Sequence, residues 1–90
     1  NGTVDPGLVI EAEKMMTHLP PETLLVYDHR HGFGWQDENG WNVFFGKEIE
    51  NMEMKKRVYA HIRTHLKKEG IRPALISVEY VDAPFYSMEY

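Results

Sequence analysis

The sequence predicts an α+β domain with the element order αβββαββ, a mainly antiparallel sheet with two helices packed on one face. Two stretches place apolar residues at helical spacing, and five short stretches read as strands. An Asn-Gly pair sits between two of those strands, where a hairpin needs positive φ angles. A sheet with both apolar helix stripes laid on one face satisfies all of these segments at once.

Asp5-Pro6 opens the first helix. Aspartate accepts from the unpaired N–H groups of a first turn, and proline fits the first helical position. Leu8, Val9, Ala12, Met15, Met16 and Leu19 then recur at three and four, an amphipathic stripe. Pro20-Pro21 ends it, placing the helix terminus near His18. Thr23 to Asp28 is apolar and partly β-branched, so it reads as a strand. His29-Arg30-His31-Gly32 is a turn, and Phe33 to Asp37 is a second strand. After Glu38-Asn39-Gly40 comes a third, Trp41 to Phe45, with Trp41, Val43 and Phe45 on one face. These three strands read as an antiparallel meander.

Residues 51–69 form the longest helix. Met54, Val58, Ile62 and Leu66 align at i+4, with Tyr59 widening the stripe. Gly70 is a natural cap, and Pro73 follows. Residues 74–81 alternate, with Ile76, Val78 and Tyr80 on one face and Ser77 and Glu79 on the other. Asp82-Ala83-Pro84 interrupts the pattern. Phe85 to Tyr90 is a last strand, and the proline before it suits a sheet edge. Residues 1–4 read as a tail and 5–90 as one domain.

Ninety residues make room for one core. With no cysteine, a disulfide scaffold and a thiolate metal site are both excluded. No apolar run approaches the roughly 20 residues that cross a bilayer. Residues 1–45 carry two basic and seven acidic groups, residues 46–90 eight basic and seven acidic, and the net charge is −4. That balance argues against a nucleic-acid partner. Lys55-Lys56-Arg57, the one basic run, reads as a solvated helix face.

Catalytic machinery is not evident, and no catalytic residue or cofactor is assigned. The sequence lacks a G-x-S-x-G elbow and a glycine-rich phosphate loop. Among five histidines, His61 and His65 stand four apart on the long helix, and His29 and His31 share a turn. Together they are the alternative, a small metal-binding or metal-dependent domain. Against it, Ile62-Arg63-Thr64 supplies no carboxylate between the helical pair, and Arg30 and Arg63 repel a divalent ion. Aromatic residues are the stronger signal. Six of eleven lie in the meander and four in the last eleven residues. Phe44 and Phe45 are adjacent, so both sheet faces carry rings. A terminal edge strand leaves main-chain groups that another chain can extend, with Tyr86, Met88 and Tyr90 on one face and Phe85 and Ser87 on the other. The same edge could pair with its own copy, so the expected state is a monomer or a weak self-associate.

A helix ends in Leu19-Pro20, and the Asn39-Gly40 hairpin leads to the strand Gly40-Trp41-Asn42-Val43-Phe44-Phe45-Gly46. A helix with an early lysine (Met52-Glu53-Met54-Lys55) follows, then Ile76-Ser77-Val78-Glu79-Tyr80. In this order the chain resembles the C-terminal β domain of the bacterial division protein family FtsQ (DivIB in Gram-positive lineages). Family members commonly show a G-x-x-V-x-x-G strand and an I-D-x-R-Y-like strand. Ser77 stands here where the family usually has Asp, Glu79 where it often has Arg, and Ala83-Pro84-Phe85-Tyr86 is an unusual closing segment. The resemblance implies a non-enzymatic interaction module of a single-pass membrane protein of the divisome, on the extracytoplasmic face of the cell membrane. A membrane-spanning helix and a POTRA domain would then lie upstream, making this stretch a non-spanning fragment. Partners of FtsB or FtsL type would add a strand at the C-terminal edge, which maps by position onto Phe85, Tyr86, Ser87 and Met88, with Tyr80 in the neighbouring strand.

Overall fold

A computed structural model describes residues 6–89. The capping role of Asp5, the tail at 1–4 and the terminal Tyr90 lie outside the described residues. The order is α1 (Pro6–Met16), β1 (Leu25–Asp28), β2 (Gly32–Gln36), β3 (Asn42–Gly46), α2 (Met52–Glu69), β4 (Leu75–Ser77) and β5 (Phe85–Ser87). The strands form one five-stranded sheet in sequence order. All neighbours run antiparallel except β3 and β4, which are parallel. A parallel pair needs a crossover, and α2 supplies it. Among the described residues no helix is long and apolar enough to cross a membrane.

Cross-strand partners share a face, so the register divides the sheet into two rows. Trp35, Val43, Ile76 and Tyr86 are successive partners. Trp35, Val43 and Ile76 belong to the core with Met15 of α1 and Met52, Tyr59 and Leu66 of α2, so this row faces the helices. Gly34, Phe44, Ser77 and Phe85 form the other row. Phe44 is fully buried although it points away from the helices. The His31 ring lies 5.5 Å from the Phe44 ring and 6.2 Å from that of Phe85, a lid contributed by the β1–β2 turn. At its own end β2 carries a bulge, with Gly32 and Phe33 both opposite Gly46. Gly32 sits there at φ +83, where a side chain would be strained.

Both helices are rotated from their sequence stripes. In α1 the buried side is Met15, with Leu8 and Ala12 packed beside it and Leu19 joining from beyond the helix end, whereas Val9 and Met16 are exposed. At 100° per residue those two lie a quarter-turn off the inner side. The helix also stops at Met16, two residues before the predicted end. In α2 the buried positions are Met52, Lys55, Tyr59 and Leu66. An i+4 series drifts by about 40° per step, which leaves Met54 exposed at one end of its row and Leu66 buried at the other.

A polar relay crosses this core. The Trp41 indole N–H donates to the Tyr59 oxygen at 2.8 Å, and the Tyr59 hydroxyl donates to the Asp37 carboxylate. Asn39 donates to the same carboxylate from its main chain at 3.1 Å and from its side chain, and Arg63 lies 3.6 Å away. Burial alone would raise the Asp37 pKa; the hydrogen bonds from Tyr59 and Asn39, with the Arg63 charge, outweigh it and hold the carboxyl below its ordinary range. Burial and the neighbouring carboxylate push the Tyr59 phenol far above its own. Removing the hydroxyl in Tyr59→Phe strands a buried indole N–H. The expected cost is about 1–3 kcal/mol in urea unfolding. A loss below about 0.5 kcal/mol, within the spread of ordinary surface changes, would show that the relay does not hold the core together.

Candidate functional site

The sheet has an outer strand at its C-terminal end, β5, paired on one side only, to β4. The orientation of its main chain follows from bonds made further in. Val78 N–H donates to the Phe44 carbonyl at 2.9 Å, so the even-numbered residues of β4 turn toward β3. Leu75 and Ser77 then turn toward β5 and meet Ser87 and Phe85. The Ser87 carbonyl accepts from Ala74 N–H at 2.9 Å, which also points it inward. Alternation along an antiparallel strand therefore directs the N–H and C=O of Tyr86 outward.

Large apolar side chains are exposed along this strand, just beyond its end and in the turn that leads into it. Phe85 is 48%, Tyr86 44%, Met88 61% and Tyr80 70% exposed. Phe85 leans on the helix-free side under the His31 ring, and Tyr86 lies in the helix-facing row opposite Ile76. Ser87 has a local task, since its hydroxyl donates to the Glu89 carbonyl at 2.7 Å and accepts from the Glu89 N–H at 3.1 Å. The structure thus brings Phe85, Tyr86 and Ser87 to one edge strand, with Met88 just past its end. It corrects Tyr80, which is not in the neighbouring strand. β4 ends at Ser77, and Tyr80 stands in the turn after it, its carbonyl accepting from Ala83 N–H at 3.1 Å.

The cause of that early ending is a side-chain cluster with no signal in the spacing. The Ser77 hydroxyl donates to Glu79 Oε2 at 2.6 Å, and His31 Nδ1 lies 2.8 Å from the same oxygen. These local bonds compete with the ladder, as serine and carboxylate side chains do. They tie the β1–β2 turn to the end of β4 and seat the ring that covers Phe44.

Lys55 also escaped the sequence reading, which placed it on a solvated face. It is buried, and its ammonium donates to the Phe45 carbonyl at 2.7 Å. Burial lowers its pKa, opposed by the charges of Glu50, Glu79 and Glu48. Its place one helical turn before Tyr59 was the available clue. A cleft of about 390 Å³ opens beside it, where Arg30, Lys47 and Lys55 meet Glu48, Glu50 and Glu79.

The histidines do not assemble. His61 and His65 are exposed on α2 and His29 on the first turn, while His31 is engaged with Glu79. Among the described residues no group of three or more His, Cys, Asp or Glu side chains is placed to hold a metal ion. No protein-family model, curated protein or solved structure matches the chain.

Proposed function

We propose that this domain is a non-enzymatic protein-interaction module of the FtsQ type. It accepts an extended segment of an FtsB- or FtsL-type partner as a sixth strand on β5, outside the cytoplasm, as part of a membrane-anchored division protein. One observation carries the reading: an outermost strand whose Tyr86 main chain points outward, with Phe85 and Tyr86 exposed along it and Met88 just past its end. Strand addition uses such an edge, with main-chain bonds for affinity and alternate side chains for selectivity. Natural edges are usually guarded by lysine, a bulge or a cover. Phe85 to Met88 carries no lysine; its guards are the shortness of the strand and the proline before it. The lysine marked by the family resemblance supports the reading too, because Lys55 fastens the first turn of α2 to the end of β3.

Truncation after Ala83 is expected to abolish capture of a peptide from a coiled-coil partner in a pull-down or calorimetric titration. The sheet β1–β4 should still unfold cooperatively. Undiminished binding by the truncated, folded chain would refute docking at this edge. Sedimentation over a concentration range separates a hetero-partner from self-pairing, since a monomer at high concentration leaves the edge to a different chain.

A further inference from the structure

We propose that the strand accepted at β5 is apolar along its middle and basic at its ends. This rests on the docking reading above and adds the chemistry of the partner. Residues 78–90 contain Glu79, Asp82 and Glu89 but neither lysine nor arginine. Glu79 is engaged by Ser77 and His31. Asp82 and Glu89 are exposed, one before β5 and one after it, and neither belongs to an ion pair found among the described residues. The adjoining cleft does not offset them, because its three cations face three carboxylates of their own. An arriving strand therefore meets an unanswered carboxylate at each end of the edge.

The aromatic residues point the same way. Tyr80, Phe85 and Tyr86 are exposed aromatic side chains, and arginine or lysine is attracted to aromatic rings. An acidic segment would set like charge against Asp82 and Glu89 and gain nothing from the rings, so the same groups that attract one class of strand repel the other. The apolar middle follows from Phe85, Tyr86 and Met88, which a polar strand would leave uncovered.

The test uses the whole chain and two synthetic peptides with a common Thr-Val-Thr-Val-Thr middle, one flanked at both ends by Lys-Arg and the other by Glu-Asp. Binding is read from amide chemical shifts at low salt. The basic peptide should bind about tenfold more tightly, as expected for two exposed charge pairs traded for two repulsions, and the advantage should shrink at about 0.5 M salt. The double variant Asp82→Lys/Glu89→Lys should reverse the order while melting as the parent does. Equal affinities with shifts centred on Tyr86 would overturn the charge preference and leave strand docking standing. A basic preference that survives the double variant would overturn it as well, by placing the selectivity elsewhere. Failure of both peptides to shift the β5 amides would overturn the inference together with the docking edge.

Discussion

Gly34→Ala is expected to unfold the domain. Gly34 pairs with Phe44 at the centre of the sheet, beside the β2 bulge. A β-carbon built there would overlap the Val43 carbonyl oxygen and lie 2.8 Å from its carbon and 2.9 Å from the Phe44 Cα. These are backbone atoms, with no flexible side chain to step aside. Relief would require β2 and β3 to separate where Trp35, Val43 and Phe45 join the core. A domain of this size holds on the order of 5–13 kcal/mol in all, and spreading its central strand pair should consume most of that. Circular dichroism and the dispersion of amide signals report the outcome. A variant within about 1 kcal/mol of the parent would mean that the two strands do not approach as closely as described.

The second large effect concerns docking and spares the fold. Tyr86→Pro should remove strand capture while leaving the melting temperature near that of Tyr86→Ala. The N–H lost is one that points away from β4, and proline is tolerated on a sheet edge when its missing donor faces solvent. Both variants lose the ring, so their difference isolates the main-chain donor. With one hydrogen bond gone and the pyrrolidine ring in the path of the arriving strand, affinity should fall at least tenfold below that of the alanine variant. Equal affinities for the two variants would show that the partner contacts side chains only and that no sixth strand forms.

Much of the fold was legible because the relevant forces are local. The alternation of Trp41, Val43 and Phe45 placed those residues on the core face, where they are. The Asn39-Gly40 turn and the terminator Gly70, whose N–H caps the Leu66 and Lys67 carbonyls, could be read from backbone chemistry alone. Pro84 likewise marked the following strand as an edge. The length of β4 was not legible. Alternation runs on through Glu79 and Tyr80, yet the ladder stops because Glu79 is drawn to a histidine 48 residues earlier. The burial of Lys55 was missed for a related reason. A lysine within a basic run reads as solvated, and the Phe45 carbonyl with the nearby Glu48, Glu50 and Glu79 charges makes its interior position tolerable. The exposed apolar residues of β5 were visible as composition; which main-chain groups among them point outward depends on the β3–β4 pairing.

That pairing, the parallel contact of β3 with β4, also sets an order of assembly. Neighbours joined by short turns meet early, whereas closing the long crossover through α2 costs more chain entropy before any contact repays it. β4 and β5 should therefore be the last pieces to join the sheet and the first to detach. A ligand strand held there would bind only the completed form, so by mass action its capture would hold the last two strands in place.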